Sequence, residues 1–416
     1  MDAYLFEWLS LLGRWVHVIT GIAWIGASFY FVWLDNHLLK PADPADAAKG
    51  VGGELWSVHG GGFYHAQKYA LAPAQMPASL HWFYWEAYST WLSGFFLLCV
   101  LYYRSPEVYM IDPSVAALAG WQAVAIGLGT LLAGWAVYDG LCRSPLGRND
   151  KALGSVLALL LCAAAWGLCQ VFSGRGAFLH FGAMMATIMA ANVLMVIIPG
   201  QRRNVAAMSR GEAPNPVYGA RGKQRSVHNT YFTLPVLFTM ISNHYAMSYG
   251  GAYNWLVLIG LCFAGAAIRA WFVARHKAHE RGGKTSPLAA IVGVLAILVV
   301  VVALRPTPPA TARDTARDAA VGTAGTEAVE VPSFERAQAI VIQRCAGCHA
   351  EHPTQPGFYS PPLGIELDTP EALLAHLGPV RQQVASRTMP IGNLTKMTDA
   401  ERAQLIAWID AGAPQP

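Results

Sequence analysis

Long apolar segments separated by short polar ones dominate most of the chain. Each segment holds about 20 mostly apolar residues, enough for a helix to cross the hydrocarbon core of a bilayer. We predict eight such spans, at residues 8–33, 82–103, 115–138, 153–173, 177–199, 230–249, 253–275 and 286–304. The pattern therefore predicts an all-α fold built on a polytopic membrane bundle of about eight transmembrane helices.

The composition supports a membrane protein. Hydrophobic residues make up 54% of the chain and charged residues only 13%, whereas a soluble domain has about 25% charged residues. The net charge of +4 is small, and the basic residues lie in the loops between apolar segments. This distribution favours contact with a lipid bilayer, and we expect no nucleic-acid partner.

Lys and Arg are unequally divided between alternate loops. The loops after the first, third, fifth and seventh predicted helices hold fifteen of them, whereas the N-terminus and the other loops between spans hold only Arg104 and Arg175. The positive-inside rule assigns the basic loops to the cytoplasm. We therefore expect a multi-pass protein of the inner (plasma) membrane, with both termini on the periplasmic side.

The composition changes sharply after Arg305. Residues 306–332 are rich in Pro, Ala, Thr and Gly without an apolar period, which is typical of a flexible linker. Residues 333–416 return to a mixed composition and predict a small soluble domain. We thus divide the chain into a transmembrane catalytic domain at 1–305, the linker, and this C-terminal domain.

The C-terminal domain contains the haem-attachment pattern C-x-x-C-H. Cys345 and Cys348 would add to the two haem vinyl groups, and His349 would bind the iron from the proximal side. A redox dithiol or half of a zinc site is the alternative, but the domain has no second Cys pair. Because about 80 residues can scarcely build a large core, a covalent haem c would also supply apolar bulk.

The second axial ligand should come from later in the chain. Met389 precedes Pro390 about forty residues after the motif, and a helix opened by the capping box Thr398–Glu401 follows it. This layout resembles small class I cytochromes c, in which a Met-Pro element covers the distal face of the haem. We predict Met389 as the iron ligand, with Met397 as the first alternative and His352 and His376 as others. A methionine ligand would raise the reduction potential of the haem relative to ligation by two histidines.

Ionisable residues inside a bilayer are costly and commonly functional. His17, His180 and His244 fall towards the outer ends of three predicted helices. They could hold a second redox centre, either a b-type haem or a metal ion, because helix bundles build such sites from facing helices. The alternative is that each histidine only forms hydrogen bonds or lies at the membrane interface.

A second polar group falls towards the cytoplasmic ends of the helices. We predict His81, Glu86, His228 and Asn229 as catalytic candidates, since a general base must lie near the substrate. The glycine-rich segment 52–65 also carries two histidines and is expected to form a loop. It would be either a flexible connection or a re-entrant lining of a polar cavity.

Several segments resemble one known family. The segments are Trp15-Val16-His17, Gly21 to Phe31 (GIAWIGASFYF), His59 to Tyr64 (HGGGFY) and His228 to Tyr231 (HNTY). They are similar to the membrane-bound bacterial urate hydroxylases, which are integral-membrane urate oxidases fused to a cytochrome c domain. The resemblance extends over essentially the whole chain, including helix number, linker and C-terminal domain.

The resemblance implies an oxidoreductase of purine degradation. Urate and water would give 5-hydroxyisourate, and the electrons would leave through cytochrome c to a respiratory-chain acceptor. Two alternatives share the same architecture: a quinol (or other donor):cytochrome c oxidoreductase, and a membrane-tethered electron-transfer cytochrome. A tether needs only one helix, so eight helices with internal polar residues argue against the second.

Overall fold

The computed structural model describes residues 3–73, 75–280, 283–305, 331–356, 358 and 361–415. The chain is mostly helical. The N-terminal helices are α1 (Ala3–Asp35), α2 (Pro44–Ala48), α3 (Trp85–Leu97), α4 (Pro106–Tyr109), α5 (Gly120–Arg143), α6 (Asp150–Cys169), α7 (Gly174–Ala191), α8 (Ile198–Ser209), α9 (Pro216–Ser242), α10 (Asn254–Glu280) and α11 (Leu288–Ala303). Each of the eight predicted apolar segments is helical over most of its length.

Five helical segments are long and apolar enough to cross a membrane. They are Trp8–Asp35, Gly120–Arg143, Asp150–Cys169, Gly174–Ser209 and Asn254–Arg275, and the apolar helix Leu288–Ala303 is shorter. Polar caps mark where several of them begin: the Asn149 side chain accepts from the Ala152 amide at the start of α6, and Ser173 accepts from Gly176 at the start of α7. These features are compatible with a membrane protein.

Two stretches of π-helix interrupt the regular geometry. Leu98–Tyr103 extends α3, and Asn192–Ile197 joins α7 to α8. Such insertions are rare and frequently occur at functional sites. Helix α7 lies at the centre of the bundle, where it packs against α3, α5, α6 and α9 and has most of its side chains buried.

The prediction that residues 52–65 form a loop in an all-α fold is wrong. Strands β1 (Val51–His59) and β2 (Gly62–Tyr69) form an antiparallel hairpin in which His59 pairs with Gly62. Gly60 and Gly61 connect the strands with φ values of 58° and 81°, the positive values that a tight hairpin turn requires. Two of the glycines that suggested a loop thus form the turn of a hairpin.

The C-terminal domain contains four α-helices in its described part: α12 (Phe334–Arg344), α13 (Pro370–Ala375), α14 (Leu377–Ala385) and α15 (Asp399–Asp410). Ile340, Leu373, Leu405 and Trp408 are almost completely buried in its core. The predicted capping box at Thr398 is present, and helix α12 ends directly before the haem-attachment segment. The proposed linker falls almost wholly on residues 306–330, which lie outside the described residues.

The C-terminal domain contacts the bundle through one segment. Residues 386–393 of this domain, which we call the docking segment, lie against two loops of the bundle. A Cβ added to Gly250 would overlap the carbonyl oxygen of Ser386, and one added to Gly392 would lie 2.6 Å from the carbonyl oxygen of Ile111. The two loops, which contain Ile111 and Gly250, hold few Lys and Arg residues. The domain therefore lies on the face of the bundle that is poor in basic residues.

Candidate functional site

The haem-attachment segment directly follows helix α12. Cys345 is the C-terminal cap of that helix, and its carbonyl oxygen accepts hydrogen bonds from the amides of Cys348 (3.1 Å) and His349 (2.9 Å). Both cysteines are free thiols. Burial raises the pKa of Cys345 to about 12 and that of Cys348 to about 11.

His349 is oriented by a backbone contact. Its Nδ1 lies 2.8 Å from the carbonyl oxygen of Ile365, so Nδ1 carries the proton and Nε2 has a free lone pair. Metal-binding histidines commonly use this arrangement, in which one ring nitrogen is fixed by a carbonyl and the other faces the metal. The two thiols and the prepared imidazole therefore fit a covalent haem c.

The two candidate methionines occupy different environments. Met397 is 2% exposed and packs in the domain core with Leu405 and Trp408. Met389 is half-buried on the docking segment, and its carbonyl oxygen accepts a 2.6 Å hydrogen bond from Arg402. Met389 therefore lies outside the core on a segment anchored by its backbone, and its role as an iron ligand stays a prediction.

A buried hydrogen-bond network joins helices α5 and α9 to the π-helix after α7. The Tyr138 hydroxyl lies 2.7 Å from Nδ1 of His228 and accepts from the Asn192 amide at 3.1 Å. Asn192 also donates to the side-chain oxygen of Asn229 at 2.9 Å. The Tyr138 hydroxyl therefore bridges Asn192 and His228, and the tautomer of His228 decides which of the two side chains donates in their contact.

An arginine–carboxylate pair extends this network. Arg225, whose side chain is 4% exposed, donates to Asp139 at 2.7 Å and to Asn192 at 3.3 Å. Arg143 approaches the other oxygen of Asp139 at 2.6 Å. Sequence reasoning identified His228 and Asn229 but missed Tyr138, Asp139 and Arg225, because nothing local shows that these positions meet.

The other two catalytic candidates lie apart from the network. His81 is exposed and packs edge-to-face on Phe83, with the ring centres 4.7 Å apart. Glu86 is half-buried in the first turn of α3. In the described part of the chain, no hydrogen bond or ion pair joins either side chain to His228 or Asn229.

The three outer histidines do not form a common metal-binding group. His17 contacts the Thr90 carbonyl (3.1 Å) and the Ser93 hydroxyl (3.0 Å) through Nδ1, whereas His244 is exposed. His180 is completely buried, donates from Nδ1 to the Gly176 carbonyl, and leaves Nε2 without a partner. Among the described residues no set of three or more His, Cys, Asp or Glu side chains could hold a metal ion.

Two cavities lie among the helices. The first, which we call the arginine cavity, has a volume of about 280 Å³ and a mostly polar lining of Cys142, Arg143, Met195, Val196, Pro199, Gly200, Arg203, Tyr218, Arg221, Gln224 and Arg225. The second, the aromatic cavity, has a volume of about 310 Å³ and is lined by Phe29, Val32, Trp33, Leu234, Arg269, Phe272 and Val273. Both sizes suit a small ligand.

The comparisons with known proteins identify the bundle. Residues 3–304 match the family model described as urate oxidase N-terminal. Searches of curated proteins and of solved structures gave no match. The matched region contains every helix of the bundle, the buried network and both cavities, and it makes up most of the chain. The protein therefore belongs to the urate oxidase N-terminal family.

Proposed function

We propose that this protein oxidises urate to 5-hydroxyisourate within a bacterial inner membrane and passes the electrons to a c-type haem on its C-terminal domain. The family match supports an oxidoreductase acting on urate. The observation that carries the electron-transfer part is the segment 345–349, whose two thiols and oriented His349 fit a covalent haem on the same chain. Bound there, the haem would accept electrons one at a time and pass them to a respiratory-chain acceptor.

The reaction sets clear demands on the bundle. Water adds to the urate ring, and two electrons and two protons leave. The protons need an acceptor inside the protein, and we assign that task to His228, whose Nδ1 is hydrogen-bonded to the Tyr138 hydroxyl while its second ring nitrogen, Nε2, is not used in that contact. Asn192 donates to both the Tyr138 hydroxyl and Asn229, and Tyr138 in turn fixes the His228 ring.

The position of the C-terminal domain supports the proposed topology. Its docking segment contacts the loops that carry few Lys and Arg residues, which the positive-inside rule assigns to the periplasm. Covalent haem attachment also takes place outside the cytoplasm. Both features favour a periplasmic location for the C-terminal domain, and we propose eight spans with both termini on that side.

The experiment that tests this function compares the purified full-length holoprotein with a Cys345→Ala/Cys348→Ala variant. We expect the natural chain to give a c-type pyridine haemochrome spectrum and to convert urate to 5-hydroxyisourate when an electron acceptor is supplied. The variant should lack covalent haem and should not reduce the acceptor. Quinol-driven reduction of the haem without any urate turnover would show that the chain is a quinol:cytochrome c oxidoreductase instead.

A further inference from the structure

The aromatic cavity contains a buried cation, and two of its nitrogen atoms have no hydrogen-bond partner among the described residues. Arg269 on α10 is 8% exposed, and its Nε and Nη2 atoms have no hydrogen-bond partner in the described part of the protein. Its guanidinium lies over the ring of Phe29, 4.0 Å from the centre. A buried charge without a counter-charge is costly, so this site is energetically suited to an anionic ligand.

Three of the four arginines that line the other cavity, all except Arg221, are already engaged. Arg225 and Arg143 share the carboxylate of Asp139, and Arg203 donates to the Tyr218 hydroxyl at 3.3 Å. An anion entering the arginine cavity would have to compete with these contacts. An anion entering the aromatic cavity would instead supply the first hydrogen-bonding partner of the Nε and Nη2 atoms of Arg269.

The shape of the aromatic cavity further limits its ligand. Phe29, Trp33 and Phe272 supply flat apolar walls, and Arg269 is the one charged residue among the seven that line it. Nε–H and Nη2–H lie side by side on one edge of a guanidinium and match two adjacent acceptors in one plane. The fitting ligand is therefore a flat ring that carries one negative charge and an adjacent pair of acceptor atoms.

We infer that the aromatic cavity is the urate-binding site, an assignment that rests on the proposed function. The urate monoanion is planar and presents a carbonyl oxygen beside a deprotonated ring nitrogen, which matches the Nε–Nη2 edge of Arg269. Its ring stacks against the aromatic walls. Leu234 on α9 lines the cavity and lies six residues after His228, roughly 9 Å along the helix axis.

The aromatic cavity lies near one end of the helices that form it. Trp33 lies in the last turn of α1, which ends at Asp35, and both Trp33 and Phe272 are more than one-third exposed. The site therefore lies near the end of the bundle that carries the β-hairpin. A water-soluble anion can reach this position without crossing the whole apolar layer.

The test measures urate binding without turnover. Full-length holoprotein in detergent is reduced beforehand under anaerobic conditions, so that it cannot accept electrons, and urate binding is followed by equilibrium dialysis. Arg269→Gln should weaken urate binding about 10- to 100-fold, the loss expected for charge-assisted hydrogen bonds. Arg269→Lys retains the charge but loses the paired donors and should also weaken binding. Phe272→Leu should weaken it through lost stacking, and provides a result even if the Arg269 variants fold poorly.

The matched control is Arg221→Gln in the arginine cavity, which should bind urate like the natural chain. Unchanged affinity in both Arg269→Gln and Phe272→Leu would overturn the assignment, as would loss of binding in Arg221→Gln alone. These outcomes differ from failure of the proposed function, in which the natural chain itself would neither bind nor oxidise urate.

Discussion

The contact between Gly250 and Ser386 provides a direct test of how electrons reach the C-terminal domain. An added methyl group at Gly250 would overlap the Ser386 carbonyl oxygen, which belongs to the backbone and cannot rotate away. The two surfaces would have to separate by about 1.4 Å before the atoms reach ordinary contact distance. Gly250→Ala should therefore weaken docking while leaving the cavities, the buried network and the haem-attachment segment intact.

The expected size of the effect follows from the cost of overpacking. Forcing an extra methyl group into a close contact costs about 1–3 kcal/mol, which corresponds to roughly a 5- to 150-fold shift in the docking equilibrium. Because Met389 lies on the docking segment between Ser386 and Gly392, undocking would move the proposed haem edge away from the bundle. The rate of haem reduction after mixing with urate should fall by a similar factor.

The assay is anaerobic stopped-flow absorbance at the haem α-band, with Gly251→Ala as the matched control. A Cβ on Gly251 meets no atom within 4 Å, so this variant should reduce its haem at the natural rate. Circular dichroism and the haemochrome spectrum should be the same in all three proteins. Equal rates in Gly250→Ala and Gly251→Ala would refute the docked route.

Three further predictions concern individual side chains. Met389→Ala should retain covalent haem but lower its reduction potential, measured by redox titration; a normal potential would point to Met397 as the ligand. Asp139→Asn should destabilise the bundle by about 3 kcal/mol because it leaves the buried Arg225 without its carboxylate. The control Arg143→Gln removes a partner of Asp139 whose side chain is 59% exposed, and it should cost at most about 1 kcal/mol. Thermal unfolding in detergent measures the stability of both variants. The pKa of Glu401 is held below its ordinary value of 4.5, because hydrogen bonds from Arg344 and Thr398 outweigh the opposing effect of burial. The ionised Glu401 therefore stabilises the folded C-terminal domain above pH 4.5, and this stabilisation is lost as the pH falls through the lower pKa of the folded state. Glu401→Gln should remove this dependence and flatten the acid side of the plot of unfolding free energy against pH.

The sequence predicted the features that depend on local pattern. Apolar segments of sufficient length located the helices of the bundle, and the sequence from Thr398 to Glu401 predicted the capped start of α15. In each case neighbouring residues along the chain carry the information.

The features that the sequence did not predict depend on contacts between distant residues. The pairing of Asp139 with Arg225 joins positions 86 residues apart, and neither residue stands out among the polar ends of the helices. Arg269 was visible as a cation in an apolar segment, but only the structure shows that two of its nitrogen atoms lack partners. The hairpin at 51–69 was missed because its glycines, which form the turn, also suggest a flexible loop.

The central claim is that urate oxidation in the bundle delivers electrons to a covalent haem on the same chain. An anaerobic titration of the oxidised full-length holoprotein with urate measures this most directly, with the haem α-band and 5-hydroxyisourate recorded together. We predict that each urate consumed reduces two haems and yields one 5-hydroxyisourate. A haem that stays oxidised in excess urate, although dithionite reduces it at once, would contradict the account.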